Sequence, residues 1–158
     1  DSNYQQITET VTMNGTNDVT TTNSFLRVNN ATILSGSNVG DISGEYSSTL
    51  VFFIEAALGT TQACVYTVPA GYTLYLLRID LTSGTVNPNK YITYRNRLDS
   101  SNGRILRVAE ATWETGMQSF DRQAPFPIAE KTDFQFESKS SSGTNTISVF
   151  IEAVLVEN

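Results

Sequence analysis

A chain of 158 residues has room for one domain with a buried core, and its 16% of charged residues is low for a soluble protein. The formal net charge of −6 gives it no general electrostatic attraction to DNA, RNA or an anionic membrane. Histidine is absent and Cys64 is the single cysteine, which excludes an internal disulfide and the Ser–His and Cys–His pairs of nucleophilic enzymes. A zinc site also lacks its ligands. We therefore expect a non-enzymatic protein with no metal and no cofactor.

Small uncharged hydrogen-bonding residues are unusually common, with 21 Thr, 16 Ser and 13 Asn. Such residues occupy turns and the solvent face of strands, and they are poor in helix interiors. The apolar residues lean towards Val, Ile, Phe and Tyr, which suit strands. No window has the period of an amphipathic helix of three turns. We predict an all-β protein, an antiparallel β-sandwich of the jelly-roll kind.

The first segment, residues 1–23, differs in character from the remainder of the chain. It is rich in Thr, Asn and Gln, and its few apolar residues are thinly spaced. This pattern predicts either an edge strand of the sandwich or an extended arm that pairs with a neighbouring subunit, and the sequence does not decide between them. Residues 24–158 are predicted to form a single β-sandwich domain.

Four strands can be placed further along the chain from alternation and turn residues. Residues 72–81 and 147–155 alternate between apolar and polar positions, the period of a strand with one face in the core. Residues 90–98 and 104–112 are predicted to pair as a hairpin around the turn 100–103. The predicted core-facing residues are Tyr75, Leu77, Ile79 and Leu81 in the first strand and Ile147, Val149, Ile151, Ala153 and Leu155 in the last.

Basic residues concentrate within the predicted hairpin, where residues 90–107 contain five bases and one acid and so carry a local charge of +4. In an acidic chain this is a poor signal for nucleic-acid binding. It indicates either contact with an acidic protein partner, including the acidic N-terminal region of another copy, or cross-strand pairing with nearby acids. Each such exposed pair contributes at most about 1 kcal/mol. The basic residues are Lys90, Arg95, Arg97, Arg104 and Arg107.

Paired carboxylates are the one catalytic option left, because glycoside hydrolysis needs only two of them. Glu110, Glu114 and Asp121 lie close in sequence to Trp113, on which a sugar ring could stack. The alternative is that the carboxylates face solvent and the aromatic residues pack in the core. We favour this alternative, and no catalytic residue is assigned.

Several phrases of the sequence resemble a group of small virion-associated proteins of marine and cyanobacterial tailed phages. In such proteins a TVPAG turn enters a long strand, and a PEKTD-like turn precedes the last two strands. Here Ala129 stands where the second phrase usually has proline. The segments that carry the resemblance are Thr21–Val28, Val65–Thr73, Pro127–Asp133 and Ala153–Asn158.

The resemblance implies a capsid decoration, or cement, protein that bridges capsomers on the phage head. Its partners would be the major capsid protein and copies of itself, as a homotrimer. It would be made in the bacterial host cytoplasm and would reside on the virion surface, with no role for nucleic acid or membrane. The alternative is an adhesin module attached to the head or tail that binds host surface glycans, through Trp113, Tyr91 and Tyr94.

Overall fold

The computed structural model describes residues 1–84, 90–99, 104–114, 116–141 and 146–158, and for residues 90–99, 104–109 and 111 it describes the backbone alone. These residues contain strands and no helix, and every strand pair is antiparallel, which confirms the all-β prediction. The predicted turn 100–103 lies outside the described residues. The strands are β1 (Ile42–Tyr46), β2 (Thr49–Ile54), β3 (Val65–Thr67), β4 (Tyr72–Ser83), β5 (Lys90–Asp99), β6 (Arg104–Glu114), β7 (Met117–Ile128), β8 (Asp133–Ser140) and β9 (Ile147–Glu157).

The chain divides into an N-terminal unit, Asp1–Ala63, and a C-terminal unit, Cys64–Asn158. This division differs from the predicted one, which placed a boundary after residue 23. The hairpin of β1 and β2 forms a two-stranded sheet by itself and belongs to the N-terminal unit. Residues 1–23, all of them described, contain no strand of a sheet and only an isolated bridge between Asn14 and Asn17.

Polar contacts rather than a core hold the N-terminal unit together. Ile54 is the single hydrophobic residue buried in this fully described unit. Asn38 Nδ2 donates to the Glu55 carbonyl at 2.8 Å, and Asp41 Oδ1 accepts from the Ala56 N–H at 2.9 Å. These bonds tie the segment before β1 to the segment after β2. The abundance of Asn and Thr here therefore reflects side-chain bonds that replace apolar packing.

Side-chain hydrogen bonds also hold the first forty residues in place. The Glu9 carboxylate accepts the backbone N–H groups of Thr22 and Asn23 at 2.7 and 2.8 Å, and these bonds lower the pKa of Glu9. Asn30 Oδ1 accepts the Thr61 hydroxyl at 2.9 Å. Each bond links residues far apart in sequence, so the segment follows a defined path without regular strands.

The C-terminal unit contains two antiparallel sheets. One has the order β3-β8-β5-β6 and the other the order β7-β4-β9. The pairing of β5 with β6 confirms the predicted hairpin strands, and β9 contains the predicted strand 147–155. β4, twelve residues long, is the centre of its sheet and pairs along its length with both neighbours.

A β-bulge divides β4 into two halves. Ile79 and Leu81 are buried, as their alternation predicts. In the first half, however, Leu74 and Leu76 are buried, which makes the core-facing predictions for Tyr75 and Leu77 wrong. The register shifts between Leu76 and residue 78 against both neighbouring strands, because the extra residue of the bulge reverses the faces.

The buried side chains of the C-terminal unit come from both of its sheets. Leu76 is the centre of the first cluster, with 0% of its surface exposed, and Trp113 belongs to the second cluster, with 4% exposed. Each cluster therefore contains side chains from both sheets. The first contains Val68, Leu74, Leu76, Ile128 and Phe134, and the second contains Ile79, Leu81 and Trp113.

Two connections that cross from one sheet to the other lie side by side. The connection from β3 to β4 meets the connection from β7 to β8 through backbone bonds from Val68 N to Thr132 O at 3.0 Å and from Lys131 N to Val68 O at 2.8 Å. The hydroxyl of Thr67 donates to the buried carboxylate of Asp133 at 2.5 Å. The two phrases that carry the resemblance, TVPAG and EKTD, therefore form one hydrogen-bonded structure.

Replacing Leu76 with alanine is expected to lower the free energy of unfolding by about 2–5 kcal/mol, because it leaves a cavity between the sheets. Met117→Ala is the control, since 65% of the Met117 side chain is exposed, and it should change stability by less than about 0.5 kcal/mol. Urea unfolding followed by the fluorescence of Trp113, the single tryptophan, measures both. Equal effects of the two substitutions would contradict the assignment of Leu76 to the core.

Candidate interaction surface

The face of the β7-β4-β9 sheet turned away from the core, called here the outer face, has Arg78 at its centre. The register places Asp121 of β7 and Glu152 of β9 beside Arg78. Arg78 Nε lies 2.9 Å from Asp80 Oδ1 and 3.5 Å from Asp121 Oδ1, and the hydrogen bond to Asp80 is the largest cause of the raised pKa of Arg78. Ser119 Oγ donates to Asp80 Oδ1 at 2.6 Å, and this bond and the one from Arg78 lower the pKa of Asp80. One cation among three carboxylates leaves this centre acidic.

Exposed apolar side chains surround that charged centre. Phe150 has 63% of its surface exposed and lies in register with Asp80. Val154 and Val156 are also exposed on β9, and Met117 is exposed on β7. Large apolar side chains exposed near one another on a sheet face are a feature of protein-binding surfaces. The outer face is therefore a candidate for binding another protein.

The N-terminal unit exposes an even larger share of its apolar residues. Val39 is the extreme, with 95% of its surface exposed. A unit of this size is marginal even when it forms a core, because it can bury only about 60% of its unfolded surface. Exposure on this scale makes the N-terminal unit a second candidate for contact with another molecule. The exposed large hydrophobic residues are Met13, Val19, Leu26, Leu34, Val39, Tyr46, Leu50, Val51, Phe53 and Leu58.

The structure brings together the strands that carry the predicted basic residues. Lys90, Arg95 and Arg97 lie on β5, and Arg104 and Arg107 lie on the paired strand β6. Asp99 lies opposite Arg104, and Lys90 lies opposite Glu114, so the register provides acids for two of the five bases. The side chains of these bases are outside the described part of the chain. Contact with an acidic partner and cross-strand pairing both remain predictions.

The aromatic residues of the glycan-binding alternative do not form an exposed patch with Trp113. Trp113 packs against Ile79 and Leu81 in the core, so its ring is not available to a sugar. This placement corrects the alternative that made Trp113 a glycan contact. Tyr91 lies opposite Trp113 in the register and Tyr94 lies opposite Glu110, but the side chains of both tyrosines are outside the described residues.

The three carboxylates considered for catalysis do not lie on one strand or one sheet. Glu110 and Glu114 lie on β6, and Asp121 lies on β7 in the other sheet, next to Arg78. Among the described residues no group of three or more Asp, Glu, Cys or His side chains could hold a metal ion. The same residues include no helix long and apolar enough to cross a membrane.

The single cysteine is half-buried next to the β3 strand. The carbonyl of Cys64 accepts the Phe136 N–H at 3.0 Å, and burial raises the pKa of the Cys64 thiol to about 11. The thiol is therefore protonated at neutral pH and is a poor nucleophile. Its position at the edge of the core agrees with a small packing residue.

The edge of β9 is the feature that sequence reasoning missed. Among the described residues β9 pairs with β4 and with no other strand. The alternation of β9 is visible in the sequence, but only the strand order shows that this long apolar strand lies at an edge. Pro125 and Pro127 lie in β7, the other edge strand of the same sheet. Because prolines are confined to edge strands, they were the signal in the sequence that indicated an edge of this sheet.

Comparisons of the chain with protein-family models, with curated proteins and with solved structures found no match. The surfaces described above therefore provide the basis for a functional proposal.

Alkylation of Cys64 by iodoacetamide at pH 8 is expected to be at least about a hundredfold slower in the folded protein than in urea, because the raised pKa leaves little thiolate. The folded-state rate should increase as the pH rises towards 11. In a Cys64→Ser background, Met117→Cys provides an exposed control thiol that should react at nearly the unfolded rate. Equal rates for Cys64 in the folded and unfolded protein would contradict its burial.

Proposed function

We propose that this chain is a non-enzymatic structural protein of a virus particle, most specifically a decoration protein that bridges and stabilises capsomers on a tailed-phage head. The observation that supports it best is the strand order of the C-terminal unit, combined with apolar surfaces that the chain does not cover by itself. Both are properties of a protein that works by packing against other proteins.

The strand order fits a jelly-roll sandwich that is one strand short. In an eight-stranded jelly roll one sheet has the order first, eighth, third, sixth, and the other has the order second, seventh, fourth, fifth. Taking β3 as the second strand gives β3-β8-β5-β6 for one sheet and β9-β4-β7 for three strands of the other. The position of the first strand, beside β9, is the one that no described strand occupies. Core clusters built from both sheets support the sandwich.

The surface chemistry supports a role in assembly. Exposed apolar residues lie around the charged centre of the outer face and on the N-terminal unit. Residues 1–60 have a net charge of −5 from six acids and one base, and the hairpin β5–β6 is basic. Opposite charges on two parts of one chain favour contacts between copies.

The expected partners are the major capsid protein and further copies of this chain, arranged as a homotrimer. Synthesis in the bacterial cytoplasm and residence on the virion surface follow from this role. The glycan-binding adhesin is the alternative. The burial of Trp113 removes the best sugar platform in the sequence and makes that alternative weaker.

Mass spectrometry of purified phage particles is the direct test of the proposed function. The protein is expected in intact particles at a fixed ratio to the major capsid protein. Heads that lack it should bind the purified protein saturably and should release their genome at a higher temperature once it is bound, because a ligand of the assembled state stabilises that state. Absence from purified particles would contradict the proposal. Binding to host glycans without binding to heads would favour the adhesin.

A further inference from the structure

The four edge strands of the C-terminal unit differ in how they are protected from pairing with another chain. Natural sheets protect their edges with short strands, charged residues, prolines or irregularities. β3 has three residues, β6 carries charges throughout, and β7 contains Pro125 and Pro127 next to a register shift. β9 has eleven residues and neither proline nor lysine, and the register shift in its pairing with β4 comes from the extra residue of β4. Its two charged residues, Glu152 and Glu157, are both acidic, and among the long edge strands described in this unit β9 is the one without lysine, arginine or proline.

The backbone geometry shows which groups of β9 are open to a further strand. Asn158 N donates to the Gly71 carbonyl at 2.9 Å, and Gly84 N donates to the Thr146 carbonyl at 3.0 Å. These bonds show that the even-numbered residues of β9 direct their backbone N–H and C=O groups towards β4. Because the direction alternates along an antiparallel strand, the odd-numbered residues from 147 to 157 direct their N–H and C=O groups to the open edge.

The N-terminal unit contains a strand-like segment that has no partner strand. Residues 5–13 have the extended alternation of a strand, with Ile7, Glu9 and Val11 half-buried and Thr8, Thr10 and Thr12 exposed, but they pair with no strand. Isoleucine, valine and threonine suit strands, and the segment contains no proline. It also precedes β3 in the chain, which is where the first strand of a jelly roll belongs.

We propose that residues 5–13 of a second copy add to the free edge of β9 as an antiparallel strand. Ile7, Glu9 and Val11 then lie on the core side of the sheet, where the Glu9 carboxylate keeps its hydrogen bonds from Thr22 and Asn23, and the threonines lie on the outer face beside Phe150 and Val154. The occupant is a second copy because the chain itself supplies the strand, and because its N-terminal unit buries too few apolar residues to be self-sufficient. Exchange of an identical element between copies is a common route to oligomers.

Disulfide trapping between two different chains tests this pairing. One chain carries Cys64→Ser with a cysteine at Thr8, Thr10 or Thr12, and the other carries Cys64→Ser with Glu152→Cys. Even-numbered residues of β9 would form the non-hydrogen-bonded pairs with the new strand, where side chains are closest and a disulfide fits. After the two chains are refolded together and oxidised, a species of about twice the 17.3 kDa chain mass is expected on a non-reducing gel for at least one of the three threonine positions.

Two control variants separate strand addition from random collision. Met117→Cys in place of Glu152→Cys puts the thiol on the other edge strand of the same sheet, and no cross-link is expected. Ala153→Pro removes an N–H from the open edge without removing a bond to β4, so it should reduce the cross-link at least about tenfold while the urea midpoint stays near that of the parent. If Ala153→Pro unfolds the protein, Val11→Pro in residues 5–13 is the replacement control. It removes an N–H from the added strand instead, and Val11 lies in no strand of the chain's own sheets.

The proposal is overturned if no arm position cross-links to Glu152→Cys, or if Met117→Cys cross-links equally well. It is also overturned if the disulfide forms only within a single chain that carries both cysteines. The inference depends on the strand order and not on the virion setting. Because the test uses the purified protein without capsids, its failure leaves the proposed function standing, and absence from phage particles leaves this pairing untouched.

Discussion

The hydrogen-bonded contact between the two sheet-crossing connections fixes the arrangement of the C-terminal unit. Val68, fully buried, exchanges backbone bonds with the connection that precedes β8, and the Thr67 hydroxyl satisfies the buried Asp133 carboxylate. A buried carboxylate without partners would cost several kcal/mol. This contact therefore sets the positions at which β4 and β8 begin, and it brings Leu76 and Phe134 into one cluster.

The two units of the chain use different chemistry to hold their shape. The C-terminal unit packs apolar side chains between its sheets, whereas the N-terminal unit depends on bonds such as those of Glu9, Asn30 and Asn38. Polar bonds of this kind are worth about 1 kcal/mol each and do not remove apolar surface from water. An N-terminal unit built in this way leaves most of its large apolar side chains exposed.

Sequence reasoning recovered the features that depend on local periodicity. The alternation of β9 and the hairpin strands of β5 and β6 could be read directly, because each strand keeps its period of two over many residues. The bulge at Leu77 could not, since a bulge is defined by register against both neighbouring strands. The unit boundary after Ala63 was also hidden, because the bond from Asn38 to Glu55 joins residues that are distant in sequence. Trp113 could be proposed as a surface residue or a core residue from its neighbours, and only the sheet packing places it in the core.

Sedimentation equilibrium of the full chain, from micromolar to the highest soluble concentration, tests most directly the claim that this protein completes itself with other copies. The account predicts a stable species of about three times the 17.3 kDa chain mass, with the N-terminal unit protected from proteolysis in that species. A mass of one chain over the whole range, with a cooperatively folded and protease-resistant N-terminal unit, would contradict it.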